Sequence, residues 1–237
     1  MENWINIAEE NFKIKLSEEQ AEQFRVYENL LMDWNAKINL TAVRDLEGIR
    51  LKHFLDSLTC AAVLGDMNCK SLIDIGTGAG FPGIPLRILY PELRLTLVDS
   101  VGKKADFCQL VCNTLHLKHV TVLKDRSEEL GINKAHREKY DAATARAVAV
   151  MPVLCEYLLP LVKIGGVMLA QKGESAPEEV PTAELAIAKL GGGKAELTEV
   201  VLPGIEGRRW LVRVPKIEHT PAGYPRRTGL PLKKPIA

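Results

Sequence analysis

A glycine-rich segment at residues 74–83, with the sequence DIGTGAGFPG, constrains the fold more than any other feature of the chain. It follows a short apolar run at 71–75 and precedes a predicted helix at about 83–90. Short apolar runs that end at glycines are typical of buried parallel strands. Glycines in such a turn permit tight backbone conformations and the close approach of a ligand. The segment therefore predicts a strand–loop–helix unit with a ligand site at the loop.

The alternation of strands and helices continues through the rest of the chain. Further helices are predicted at about 102–116, 149–158 and 178–190, and further strands at 94–99, 120–123, 141–145 and 167–170. Two more strands, at 196–202 and 209–214, flank a turn with Pro and Gly and predict an antiparallel hairpin. The pattern predicts an α/β, Rossmann-like fold with a mostly parallel, doubly wound sheet and a C-terminal antiparallel hairpin.

The first part of the chain is predicted to be helical. Ser17 and Gln20 have the spacing of a capping box, and an apolar stripe follows at helical spacing over residues 24–34. We therefore expect an N-terminal helical extension at residues 1–66. The α/β domain that contains the glycine loop would then occupy residues 67–237 and end in a basic tail.

The composition is that of a globular chain, with 46% hydrophobic and 26% charged residues and a net charge of +1. Residues 208–237, however, carry eight basic side chains and one acidic one, which favours a polyanionic partner for this end. The five cysteines include no CxxC pair and are interpreted as small buried thiols in a reducing compartment. No apolar run is long enough to span a bilayer, so we expect a cytoplasmic protein with no membrane partner.

The glycine loop fits two kinds of cofactor. Gly78, Gly80 and Gly83 have the spacing of a dinucleotide-binding fingerprint, which would indicate an NAD(P)-dependent oxidoreductase. Asp74, two residues before the first glycine, is typical instead of the nucleoside loop of S-adenosylmethionine-dependent methyltransferases. Asp99 ends the second strand, where a carboxylate can accept both ribose hydroxyls of either cofactor. Prolines at the start of the next helix remove N–H donors that a pyrophosphate would use, which favours the methyltransferase.

Several motifs in their order along the chain resemble the RsmG (GidB) family of bacterial 16S ribosomal RNA guanine-N7 methyltransferases. The resemblance begins at about Trp34 and continues to the C-terminus. The matching segments are 34–41, 53–58, 74–85, 97–100 with the lysines that follow, 145–149, 171–173 and 224–229. Gln171 departs from the pattern, since an apolar residue is expected there. The resemblance implies a class I S-adenosylmethionine-dependent methyltransferase that modifies N7 of a guanine in 16S ribosomal RNA.

The resemblance also implies where S-adenosylmethionine binds. Together with the loop and strand-end residues, the expected contacts are Gly76, Gly78, Phe81, Asp99, Ser127, Glu128 and Arg146. Guanine N7 carries a lone pair and no proton, so we expect no general base and assign no catalytic residue, with Arg146 a candidate for positioning. His53 and Asp56 lie about one helical turn apart and could either contact RNA or pack the extension onto the sheet, of which packing is favoured. No metal site is predicted.

The implied partner is 16S ribosomal RNA or the small ribosomal subunit. The candidate RNA contacts are Lys103, Lys104, Lys172, Arg226 and Arg227. A competing interpretation is that the two arginines fix the tail to carboxylates of the protein. A non-catalytic ribosomal RNA-binding protein with the same fold is the other alternative function. We expect a monomer.

Overall fold

The computed structural model describes residues 3–65 and 70–236. Its helices are α1 (Asn3–Phe12), α2 (Glu18–Ile38), α3 (Leu46–Ile49), a π-helix (Arg50–Leu55), α4 (Asp56–Leu58), α5 (Ala61–Leu64), α6 (Gly83–Leu89), α7 (Gly102–Thr114), α8 (Ser127–Ile132), α9 (Met151–Leu158), a 3₁₀ turn (Leu159–Leu161), α10 (Ala176–Thr182), α11 (Glu184–Lys189) and α12 (Leu230–Lys233). Its strands are β1 (Ser71–Ile75), β2 (Arg94–Val98), β3 (Val120–Leu123), β4 (Tyr140–Arg146), β5 (Val162–Lys172), β6 (Glu196–Val200) and β7 (Arg209–Pro215). The predicted boundary between residues 66 and 67 lies outside the described residues, so the division into two domains stays a prediction.

The seven strands form one sheet in the order β3-β2-β1-β4-β5-β7-β6. Strands β1 to β5 pair in parallel, and β7 pairs antiparallel with both β5 and β6. The predicted fold class is therefore confirmed, including the antiparallel hairpin. The strand order reverses between β1 and β4, and ligands of open α/β sheets bind at the carboxyl ends of the strands beside such a point.

Each face of the sheet is covered by its own hydrophobic core. One core joins the N-terminal helices, α6 and α7 to the sheet. The other lies under α8 to α11. All five residues of β1 are buried, and burial on both faces explains why the strand is apolar apart from Ser71 and Asp74. The four described cysteines are buried free thiols, as predicted.

The N-terminal helices pack onto the sheet through aromatic residues. Ser17 and Gln20 form the predicted capping box at the start of α2. Further along α2, the Tyr27 ring lies 5.3 Å from Phe54 of the π-helix and 5.5 Å from Phe81, which follows β1. The extension therefore contributes side chains directly behind the glycine loop.

Most elements lie within two residues of their predicted bounds, and two elements differ more. The helix expected at 178–190 is divided into α10 and α11, and Pro181 near the break has no N–H to donate. Strand β5 begins five residues earlier than predicted, where Gly165 N donates to Lys216 O at 2.8 Å. Within 3–65 and 70–236, no helix combines the length and apolar character that crossing a bilayer requires.

Candidate cofactor and substrate site

The loop after β1 owes its shape to glycines with positive φ. Gly76 and Gly78 have φ values of +65° and +61°, which side chains disfavour. A Cβ added to Gly76 would lie 2.6 Å from Val148 Cγ2, whereas a Cβ added to Gly78 would meet only Gly76 O at 3.9 Å. Gly76 is thus required for packing against the segment after β4, while Gly78 leaves open space above the loop.

Asp99 lies at the end of β2 and holds the loop in place. Its Oδ2 accepts a hydrogen bond from Gly78 N at 2.9 Å, and its Oδ1 accepts one from Val101 N at 2.9 Å. The residue is only 6% exposed. Each carboxylate oxygen can accept further hydrogen bonds, so the group combines loop anchoring with free acceptor capacity.

Asp74 supports the same loop from inside the protein. Its Oδ2 accepts hydrogen bonds from Thr77 Oγ1 at 2.7 Å and from Gly83 N at 2.9 Å, which ties the two ends of the loop together. Complete burial raises the pKa of Asp74 to about 7, although both hydrogen bonds act in the opposite direction. Asp74, which was predicted to be typical of a nucleoside-binding loop, therefore supports that loop from inside the protein.

A cavity of about 90 Å³ opens beside the loop at the carboxyl ends of β1 and β2. Its walls include Gly76, Asp99, Ser127 and Glu128. Ser127 Oγ donates to Tyr157 O at 2.5 Å, and Glu128 Oε1 accepts from Gly229 N at 2.9 Å. Four of the seven predicted cofactor residues thus share one cavity, and Gly78 adjoins it through its hydrogen bond to Asp99.

Phe81 and Arg146, the other two predicted cofactor residues, form a separate cluster. Phe81 is 4% exposed, and its ring stacks on the His53 ring at 4.7 Å. The Arg146 guanidinium lies over the Phe81 ring at 4.9 Å. Its Nη1 donates to Lys52 O at 3.1 Å and to Asp56 Oδ2 at 3.2 Å. Both residues therefore join the N-terminal extension to the end of the sheet.

The electrostatics of this cluster follow from burial. Burial and the neighbouring Arg146 lower the pKa of His53 to about 4, so the imidazole is neutral at pH 7. Burial raises the pKa of Asp56, although the ion pair with Arg146 opposes the shift. The interpretation of His53 and Asp56 as packing residues agrees with these contacts. The ion pair itself was missed, since its partners are 90 residues apart in the chain.

A second cavity, of about 410 Å³, lies on the other side of Arg146, at the carboxyl ends of β4 and β5. Lys52, His53, Asp56, Gln171 and Arg209 contribute to its walls. Polar and basic groups thus surround a space beside Arg146, on the side of the strand-order reversal away from Asp99. No sequence motif predicted a pocket at this position.

The five predicted RNA-binding residues divide into two groups. Lys172 Nζ lies 2.7 Å from Glu179 Oε2, and Arg226 makes two-pronged contacts with the buried Glu156 carboxylate, the shortest at 2.6 Å. The partner of Lys172 was not anticipated, whereas the contact of Arg226 agrees with the competing interpretation that the tail arginines bind carboxylates of the protein. Both contacts oppose a direct RNA role for these two residues. The remaining three side chains form no salt bridge with any described residue: Lys103, Lys104 and Arg227.

Solved structures with this architecture are methyltransferases. The chain aligns with an O-methyltransferase from Bacillus cereus in complex with SAH at a TM-score of 0.56 and 18% identity, over 90% of this chain and 96% of the other. It aligns with a 16S rRNA (adenine(1408)-N(1))-methyltransferase from Catenulisporales acidiphilia, with cosubstrate SAM, at a TM-score of 0.52 and 16% identity, over 63% and 86% of the two chains. The fold is that of a class I S-adenosylmethionine-dependent methyltransferase.

Sequence comparisons identify the family within this class. Residues 20–205 match the family model GidB, described as rRNA small subunit methyltransferase G. A ribosomal RNA small subunit methyltransferase G from Roseiflexus castenholzii is 49% identical over the full length of both chains. One from Desulforamulus reducens is 45% identical over 97% of this chain and 96% of its own. The chain belongs to the GidB family of rRNA small subunit methyltransferases, as the sequence motifs predicted.

Proposed function

We propose that this chain transfers a methyl group from S-adenosylmethionine to N7 of a guanine in 16S ribosomal RNA. The observation that carries the proposal is the arrangement of Gly76, Gly78 and Asp99 at the carboxyl end of β1 and β2, in a chain of the GidB family. Family membership supports the ribosomal RNA substrate. The choice of N7 rests on the family resemblance described in the sequence analysis.

The residues present fit S-adenosylmethionine. The open space above Gly78 admits a ligand next to the backbone, and Asp99 retains acceptor capacity for ribose hydroxyls. Ser127 and Glu128 lie on the wall of the same cavity. We assign these residues and Gly76 to the nucleoside end of the cofactor. Phe81 and Arg146 are assigned to the opposite end, next to the larger cavity.

Bound S-adenosylmethionine supplies a sulfonium-activated methyl group. Guanine N7 has a lone pair and no proton, so the chain has to orient the base and needs no group to remove a proton. The guanidinium of Arg146 offers only hydrogen-bond donors, so it can orient an acceptor and cannot act as a base. Asp56 balances its charge, and His53 is neutral at pH 7, so the cluster adds little net positive charge where the methylated purine becomes cationic.

RNA binding is assigned to the three predicted basic side chains that form no salt bridge within residues 3–65 and 70–236. Lys103 and Lys104 lie at the start of α7, which follows Asp99 and the end of β2. Cations at a helix N-terminus are disfavoured by the helix dipole, so their presence there favours an external anion such as phosphate. Arg227 is exposed in the C-terminal segment. The proposed substrate places the reaction in the cytoplasm, and the monomeric state stays a prediction.

Methyl transfer is tested by incubating the protein with methyl-labelled S-adenosylmethionine and either naked 16S ribosomal RNA or small subunits. Incorporation into RNA supports the proposal. Cofactor binding without incorporation into either substrate would indicate a non-catalytic RNA-binding protein. Binding of NAD(H) or NADP(H) in an equilibrium titration, with no binding of S-adenosylmethionine, would indicate an oxidoreductase instead.

A further inference from the structure

Gln171 carries a buried acceptor without a partner. The residue is 6% exposed and lies next to the end of β5. Its Nε2 donates to Asp56 O at 2.8 Å, which fixes the orientation of the amide. Its Oε1 is buried and has no hydrogen-bond partner among the described residues. Because an unsatisfied buried acceptor is unfavourable, an external donor would complete the site.

The position of Gln171 connects this acceptor to the proposed reaction. It is paired with Arg146 in the register of β4 and β5, so both side chains project from the same face of the sheet. Both line the 410 Å³ cavity. Asp56 bridges them, since its carboxylate binds Arg146 and its carbonyl binds Gln171. The cavity and Asp99 lie on opposite sides of the point where the strand order reverses. A second substrate in the cavity can therefore approach the cofactor site.

The chemistry of this acceptor selects among the bases. Guanine carries a 2-amino donor, whereas adenine has only a C–H at position 2. The 2-amino group also lies at the end of the purine farthest from N7. A guanine with N7 toward the cofactor site and its opposite edge in the cavity would therefore bring the 2-amino group toward β5.

We propose that the cavity beside Arg146 receives the target guanine and that Gln171 Oε1 accepts a hydrogen bond from its 2-amino group. The proposal rests on the proposed function and identifies a specificity-determining residue for it. Since an apolar residue is expected at position 171 from the family resemblance, the contact is a feature of this chain. It requires the base to leave its stack in the RNA.

The test pairs one change in the protein with one change in the substrate. After the modified guanine is mapped, a 16S RNA with inosine at that position removes only the 2-amino group. Wild-type protein and Gln171→Leu are compared on both RNAs by kcat/KM. We expect inosine to lower the wild-type value about tenfold and the Gln171→Leu value less than about twofold, since one hydrogen bond is lost only in the first case.

Trp210→Phe provides the matched control. Trp210 also lines the cavity and carries a buried Nε1 without a partner among the described residues. It lies opposite Lys172 in the β5–β7 register, and hence on the other face of the sheet from Gln171. We expect Trp210→Phe to keep the tenfold discrimination. A general loss of packing in either variant affects both RNAs equally and cancels in the ratio.

The outcomes separate the two proposals. Equal discrimination by wild-type protein and Gln171→Leu would overturn the role of Gln171. Equal wild-type activity on guanine and inosine would overturn it without any variant, so a folding defect of Gln171→Leu does not prevent the test. Failure of wild-type protein to methylate the guanine-containing RNA would refute the proposed function itself.

Discussion

Arg226→Ala is expected to destabilise the protein strongly because it leaves a buried carboxylate without its partner. Glu156 lies in α9 with a side chain that is 0% exposed. Its oxygens accept hydrogen bonds from Arg226 N at 2.7 Å, from Nε at 2.9 and 3.0 Å, and from Nη2 at 2.6 Å. The substitution removes all of these except the backbone bond.

The magnitude follows from the burial of Glu156. Removing one partner of a buried ion pair costs about 3–5 kcal/mol, since the remaining charge is left in a poorly solvating environment. For a chain of this size, that corresponds to a fall in melting temperature of roughly 10 °C. The double variant Arg226→Ala/Glu156→Gln removes the buried charge and is expected to recover part of the loss. Arg227→Ala changes an exposed side chain and is expected to alter stability by less than about 0.5 kcal/mol.

Denaturant titration of the variants tests this assignment, and RNA binding at several salt concentrations tests the alternative role. The ion-pair account predicts a lower midpoint for Arg226→Ala and an unchanged slope of log affinity against log salt. Arg227→Ala is expected to keep the midpoint and to reduce the slope by about one unit. Wild-type stability of Arg226→Ala, with a reduced salt slope, would refute the reasoning and restore Arg226 to the RNA contacts.

Three further predictions concern the loop and its surroundings. Asp99→Ala is expected to weaken S-adenosylmethionine binding by about 1.5–3 kcal/mol, and unchanged affinity in calorimetry would contradict its assignment. Gly76→Ala and Gly78→Ala both strain a residue with positive φ, but only the Cβ at Gly76 would also meet Val148 Cγ2 at 2.6 Å. Gly76→Ala is therefore expected to lower the free energy of unfolding more than Gly78→Ala, and equal stability losses would contradict this difference. Since the folded-state pKa of His53 is about 4, below its unfolded value near 6.5, its neutral form contributes stability that is full above pH 6.5 and is lost as pH falls to 4. His53→Gln lacks this pH dependence. The free energy of unfolding of wild type minus that of His53→Gln is therefore expected to fall by up to roughly 3 kcal/mol as the pH is lowered from 6.5 to 4. A difference that does not change with pH would contradict the assignment.

Local sequence signals were sufficient to predict the strands on the cofactor side of the sheet. The predicted bounds of β1 and β3 match those observed, because an apolar run ending at a turn indicates a buried strand without reference to distant residues. The proximity of Asp99 to the glycine loop was also predictable. Parallel neighbouring strands bring their carboxyl ends to the same edge of the sheet.

The contacts that the sequence did not reveal join residues far apart in the chain. Asp56 and Arg146 are separated by 90 residues, and Glu156 and Arg226 by 70. Each pair depends on the path of a whole segment, either the N-terminal helices or the C-terminal tail, and periodicity does not encode that path. The basic composition of the tail therefore allowed both an RNA contact and a carboxylate partner for its arginines, but it did not show that Arg226 alone binds Glu156.

The most direct test of the account is to locate the methyl group on the RNA. Small subunits and naked 16S ribosomal RNA, prepared without this modification, are incubated with the protein and labelled S-adenosylmethionine, and the product is analysed by chemical cleavage at 7-methylguanine. The account predicts label at a single guanine, with cleavage there only after incubation with both protein and cofactor. Label on another base, or on a guanine that resists this cleavage, would contradict the proposed N7 methylation.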